Sequence, residues 1–452
     1  MTAIDPPSSS AAGPERGPPT PRDRLPGVDL RQTLALSDDT GILQHARFAA
    51  PDPHHGYCID DNARALIAGL RHGQVSDGRQ AGLPLHRYLA FFSYAFHEQR
   101  GVFRNFLSYD RRWLEDEGSE DSQGRGLWAL GMAAQLGGGP SVRELARSLF
   151  DHAYPVVHGF EHLRASAFAL LGLDHALQAE PGHGGWAEAF ERLAERLWSA
   201  YEAGADGGWR WWEPVATYDN AKLPHALLVA GRRLGRSAWV DAALESLGWL
   251  VEQQTRLDAA GRPYLSVIGN DGWLKRGEAK ADFDQQPLEA YAIVEAALEA
   301  ARLTGDARWE DAAWMGLDWF LGRNDLGARL VDDETGGCQD GLHPTGPNRN
   351  QGAESVLAYL LSVLEVHRYA AEGAMLSKAV RDVVASSEVA GRVDGDEARV
   401  LGLGVAGASR FAGFCLEAWA GVQGARPVAV WSRTAASAAR LAESHGLESV
   451  GT

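Results

Sequence analysis

From about residue 40 to residue 370, apolar side chains recur at spacings of three and four, the signature of helices that bury one face. The spacing predicts eleven helices: Asp61–His72, Leu85–His97, Asp121–Leu136, Ser141–Ala153, Glu161–Gln178, Trp186–Ala203, Asn220–Arg233, Ser237–Gln254, Gln285–Thr304, Trp309–Leu321 and Asn350–Ala371. A twelfth is expected either before His45 or after Met375. No run of alternating β-branched residues interrupts them, so this region reads as all-α.

The connections alternate in length. Links after the odd helices are mostly short, as at Leu136–Pro140, Gly231–Arg236 and Gly305–Arg308. Links after the even helices are long and rich in aromatic and polar residues: Gln99–Glu120, Gly204–Asp219, Thr255–Asp284 and Gly322–Arg349. Long loops in a compact domain usually carry function. Helical hairpins set side by side in a ring would bring every long loop to one face. The expected fold is therefore an (α/α)6 toroid, with the odd helices lining its inside.

Each odd helix opens on a polar motif. In chain order these are Cys58-Ile-Asp-Asp-Asn-Ala-Arg64, Glu120-Asp-Ser-Gln-Gly-Arg125, Glu161-His-Leu-Arg-Ala165, Tyr218-Asp-Asn-Ala-Lys222, Phe283-Asp-Gln-Gln-Pro287 and Asn348-Arg-Asn-Gln-Gly-Ala-Glu354. Capping and the helix dipole explain one Asp, Asn or Ser per opening. They do not explain several polar residues at all six. The excess predicts a ring of hydrogen-bonding groups around a concave site: Asn62, Arg64, Asp121, Arg125, His162, Arg164, Asn220, Lys222, His225, Asp284, Gln285, Gln286, His343, Asn348, Asn350 and Gln351.

The carboxylates in that ring are the catalytic candidates. Cleaving a glycosidic bond takes one protonated carboxyl and one ionised one. Glu213 lies in Trp209-Arg-Trp-Trp-Glu-Pro214, where Trp209, Trp211 and Trp212 could stack on sugar and desolvate it, as a general acid requires. Asp61 or Glu354 is the expected base, with Asp60 and Asp219 as further candidates. His162, His225 and His343 suggest a rival, an imidazole pair that moves a sugar proton as an epimerase does. The spacing of His45, His54, His55 and Cys58 fits no zinc pattern, so no metal is expected.

Four strings, Ser37-Asp-Asp-Thr-Gly41, Gly56-Tyr-Cys-Ile-Asp-Asp-Asn-Ala-Arg64, Asp284-Gln-Gln-Pro287 and Gly352-Ala-Glu-Ser355, make Ser37 to Ala371 resemble the six-hairpin glycosidase-like superfamily. More closely, the region is similar to a bacterial domain often found beside, or labelled as, sugar transferases. The resemblance implies the toroid and a carbohydrate ligand, with sugar-metabolism proteins as potential partners. It implies no assigned catalytic pair.

At residue 399 the pattern changes. An apolar strand runs into Gly402, Gly404 and Gly407, a helix follows over Ala408–Gln423, and a second strand is expected at Pro427–Trp431. Strand, glycine fingerprint, helix and strand in this order predict a phosphate-binding turn. Ser432 and Arg433 stand where an acid would select NAD, so the cofactor expected there is NADP. The run from Gly402 to Arg410 and the strand end at Val430–Arg433 resemble the start of the glucose–fructose oxidoreductase and inositol dehydrogenase family. The expected fold class is thus an all-α toroid followed by a short, incomplete α/β Rossmann-like segment. Its expected layout is a disordered segment 1–27, the toroid 28–375, a linker 376–397 and the partial nucleotide-binding segment 398–452.

Composition narrows the ligand. With 43 Lys and Arg against 60 Asp and Glu, the net charge is −17, unsuited to nucleic acid or an anionic membrane. Three cysteines and no apolar stretch of membrane-spanning length favour a cytoplasmic protein. The 15 tryptophans are unusually many, and flat indoles suit sugar rings. Taken together, the sequence favours a glycoside hydrolase. The alternatives are a noncatalytic glycan-binding or accessory module of a glycosyltransferase system, and a fragment of an NADP-dependent sugar oxidoreductase.

Overall fold

The computed structural model describes residues 25–76, 82–390, 401–406, 425–431 and 448–450. Among them are twelve α-helices: α1 (Arg31–Leu36), α2 (Ile59–Val75), α3 (Leu85–Ala95), α4 (Glu120–Leu136), α5 (Pro140–Ala153), α6 (Leu163–Ala179), α7 (Gly184–Gly204), α8 (Lys222–Leu234), α9 (Ser237–Gln253), α10 (Pro287–Thr304), α11 (Ala307–Phe320) and α12 (Ala353–Ala390). The even-numbered helices pack in the order α2, α4, α6, α8, α10, α12, and α12 closes the ring against α2. The others form an outer layer, with the short α1 against α12. The twelfth helix is therefore the one before His45.

The two layers differ in what they bury. In α4 every residue from Ser122 to Ala134 is buried, polar ones included, because the helix has neighbours on all sides. Outer α5 buries a stripe, Val142, Ala146, Leu149, Phe150 and Ala153, and leaves the rest to water. The inner pair α4 and α6 approaches most closely through glycine. A Cβ on Gly131 would lie 2.1 Å from the Gly172 carbonyl, and one on Gly172 would lie 2.5 Å from that of Leu127.

The all-α reading needs one correction. The long loops are laced by antiparallel pairings of two or three residues, such as Tyr57–Cys58 with Phe106–Leu107 and Val215–Ala216 with Leu274–Lys275. Two residues cannot display an alternating pattern, so the sequence gives no sign of them. Helix α12 runs without a break to Ala390, across the boundary expected at residue 375. Leu25 packs against the core and Pro26 accepts a hydrogen bond from His367, so the packed domain reaches at least Leu25.

Strands 401–406, 425–431 and 448–450 pair in parallel in that order, with Gly402 and Gly404 inside the first. Gly407, Ser432 and Arg433 lie outside the described residues. Among the described residues no helix is long and apolar enough to cross a membrane.

The glycine contact between α4 and α6 predicts a localised intolerance. Gly131→Ala should lower stability by ~2–3 kcal/mol through overpacking against backbone, read as a drop in thermal midpoint. Gly138→Ala, with nothing within 4 Å of the added Cβ, should leave the midpoint unchanged.

Candidate functional site

The inner helices start at one end of the ring and their first turns gather there. Three buried guanidinium groups organise that mouth. Arg64 pairs with Asp61 at 2.9 Å and reaches Glu354 on α12 at 2.7 Å. Arg125 bridges Asp60 at 3.1 Å and Asp219 at 3.1 Å, with Asp121 at 3.7 Å, and lies over the Phe168 ring. Arg164 holds Glu213 at 2.7 Å, donates to the Tyr218 carbonyl and to Asn220, and covers the Tyr218 ring. The Tyr218 hydroxyl donates to Asp121 at 2.7 Å. Burial alone would pull the Arg125 guanidinium down, but Asp60, Asp219 and Asp121 raise it above its ordinary value.

The helix starts are capped partly by their neighbours. Glu120 of α4 accepts the Glu161 and His162 amides at the entrance to α6. Glu289 of α10 accepts the Asp219 and Asn220 amides at the entrance to α8. That grip holds Asp219 at a φ of 47°, a left-handed conformation costing a non-glycine residue about 1 kcal/mol. Asp219 Oδ1 is buried without a hydrogen-bond partner and borders a void of about 10 Å³ shared with Arg64 and Arg125.

The carboxyl groups divide by depth. Asp61 is buried, with one oxygen on Arg64 and the other accepting the Cys58 thiol at 3.2 Å. Burial pushes it up to about 6 against the pull of Arg64. A group so enclosed lies under the mouth rather than facing it. Glu289, which the sequence reading passed over, is raised to about 7 by burial and by the charge of Asp219. Its place in the first turn of α10 looks like a dipole-suited acid, and no sequence signal marks its cross-helix role. Side chains of Asp60, Asp121, Glu213 and Glu354 remain 19%, 18%, 33% and 43% exposed, so these face the mouth.

Several residues expected to bind sugar are engaged within the protein. Trp209, Trp211 and Trp212 are buried and pack with Trp249, and two of the indoles donate to carbonyls of Glu213 and Leu197. Their rings pack on Tyr201 of α7 and Trp249 of α9. Asn62 is buried between Ile42 and Cys58 backbone groups, and Gln285 joins Asp282, Asp325 and Trp319. Gln351 is consumed by Thr335 and Asp332, and Asn350 ties Ala46 to Asp340. Lys222 sits deeper, between the Trp128 and Tyr291 rings and against Glu295, and His225 lies beside the same Glu295. Neither reaches the mouth.

On the rim, Asp284 accepts from Gln286 at 2.8 Å and lies 3.6 Å from His343, while Asn348 accepts the Asn350 amide and His162 is exposed. The three histidines expected to share proton transfer are thus spread between rim and interior. They do not form a facing pair.

No protein-family model and no curated protein sequence matches the chain. Solved structures match its fold. A sugar epimerase from a ruminal bacterium superposes with a TM-score of 0.56 at 11% identity, over 75% of this chain and 94% of that one. Cellobiose 2-epimerase from Bacillus thermoamylovorans gives 0.56 at 13% identity, over 75% and 96%. The cellulase Cel9M of C. cellulolyticum with cellobiose gives 0.52 at 9% identity, over 73% and 88%. The chain is an (α/α)6 toroid. At these identities the likeness is one of fold.

Two outcomes are expected of the buried network. Arg125→Met strands three carboxylates and should cost ~3–5 kcal/mol in urea unfolding. Asp61 and Glu289 are both raised in the folded chain, so between about pH 4 and 7 the folded state keeps protons that the unfolded chain has released. Stability should therefore fall as pH rises through that window. Glu289→Gln should flatten the fall by an amount on the order of 3 kcal/mol, measured as unfolding free energy at stepped pH.

Proposed function

We propose that the mouth of the toroid binds a carbohydrate and hydrolyses a glycosidic bond, with Glu213 and Glu354 as the carboxyl pair. One observation carries this reading. The two most exposed of the arginine-held carboxylates stand on opposed sides of the ring, Glu213 held by Arg164 of α6 and Glu354 opening α12, three places round from α6. A glycosidic bond lying between them has a proton donor on one side and a base on the other. One of the pair gives its proton to the departing oxygen, the other takes one from the attacking water, and the floor of Arg64, Arg125 and Asp60 orients sugar hydroxyls.

Sugar epimerases and a cellulase use the same toroid, which supports a carbohydrate ligand by analogy of fold. An epimerase reading asks for paired imidazoles over the floor, and His162, His225 and His343 are too dispersed to supply them. The second reading is a glycan-binding module. It draws on the arginines paired with Asp60, Asp121, Glu213 and Glu354, which a recognition ring needs as much as an enzyme does.

Purified full-length protein should release reducing sugar from one of a panel of manno-, gluco- and galacto-oligosaccharides. Glu213→Gln and Glu354→Gln should each cut that turnover by ~10²–10⁴-fold while sugar binding persists. Wild-type turnover in both variants would overturn the assignment of the pair. Binding without release by the wild type would establish the module instead.

A further inference from the structure

A second cavity, of about 390 Å³, opens at the opposite end of the ring, where the inner helices finish. All six contribute to its wall, through Arg71 of α2, Gln135 of α4, His175 of α6, His225 of α8, Arg302 of α10 and Arg368 of α12. A closed layer separates it from the mouth. There Lys222 lies 4.5 Å and 4.4 Å from the ring centres of Trp128 and Tyr291 and pairs with Glu295.

The cations in this wall are neutralised. Arg71 and Arg368 both meet Glu365 at 2.6 Å, and Arg302 meets Glu372 at 2.8 Å. Arg232 lies 3.5 Å from Glu299 and 3.6 Å from Asp174. Burial first, then Lys222 for His225 and Arg71 for His175, hold both imidazoles down at about 3, so both are neutral. His225 lines the cavity and is 6% exposed, and its Nδ1 is buried without a hydrogen-bond partner, 3.8 Å from Glu295. Gln74, Gln135 and Gln178 share this wall, with Gln135 bridging His175 and Gln178, Gln178 donating to Asp174 and Gln74 accepting from Arg71, and their remaining amide positions both donate and accept.

This chemistry excludes two ligand classes. An anion would have to break the arginine pairs and would face helix C-termini, which disfavour negative charge. An apolar molecule would strip water from the amides and from the arginine–carboxylate pairs and return no hydrogen bond. A hydroxyl both donates and accepts, and neighbouring hydroxyls can share an arginine–carboxylate pair without adding charge. We propose that this cavity is a second binding site, separate from the mouth, for a neutral polyhydroxylated molecule of monosaccharide size.

The test is to titrate full-length protein with glucose, mannose, galactose, myo-inositol and inorganic phosphate, reading calorimetry and the ring signals of isotope-labelled histidines. At least one neutral ligand should bind and shift His175 and His225, whether or not His162 and His343 respond. His225→Phe, which removes a polar group from the wall, should weaken it by at least ~10-fold. Gln178→Trp, at an exposed helical position, should block entry yet keep whatever oligosaccharide turnover the wild type has. The proposal falls if no neutral ligand moves His175 and His225, if only the mouth histidines respond, if phosphate alone binds, or if Gln178→Trp keeps full affinity. Loss or survival of mouth hydrolysis is read separately, so the two sites stand or fall independently.

Discussion

Six inner helices pointing the same way create the constraint on which the rest depends. Their N-termini bring partial positive charge to one end of the ring and their C-termini bring negative charge to the other. Acids accordingly crowd the first turns, Asp60 and Asp61 of α2, Glu120 and Asp121 of α4, Glu289 of α10 and Glu354 of α12. Arginines gather toward the last turns, Arg232 and Arg233 of α8 and Arg302 of α10. Helix dipoles alone cannot sustain so many buried carboxylates. Arg64, Arg125 and Arg164 neutralise them from within, and the mouth keeps its shape because each of these groups has more than one partner.

That economy explains why the same motif supplies both structure and candidate chemistry. The deeper group in each opening is spent on the fold: Asp61 on Arg64 and Cys58, Glu289 on the entrance to α8. The shallower one is left facing solvent, as Asp60, Asp121 and Glu354 are. Glu213 joins them from a loop, and the buried tryptophans behind it keep that loop rigid. Their contribution to the site is rigidity of its wall, rather than contact with a sugar.

Much of the fold was legible beforehand. The helical period, the alternation of short and long links and the polar openings together required a closed ring of helical hairpins, and the inner helices do close one. The site was legible as a set but not residue by residue. Asn62, Gln285 and Gln351 look like ligands in the sequence, since an amide beside a helix start is equally suited to bind sugar or to tie down a loop. Glu289 and Glu365 look like ordinary helical acids, although one caps a neighbouring helix and the other holds Arg71 and Arg368.

The physical reason lies in the range of the interactions. Periodicity, capping and loop length act within a few residues of chain, so the sequence by itself determined the number of helices, their polarity and which end of them would be polar. Depth and partnership are set by contacts between residues far apart in the chain, such as Arg64 with Glu354 and Arg125 with Asp219. Only the closed ring decided which carboxylates sink and which stay at the mouth, that Lys222 and His225 belong below it, and that a second polar cavity forms where the helices end.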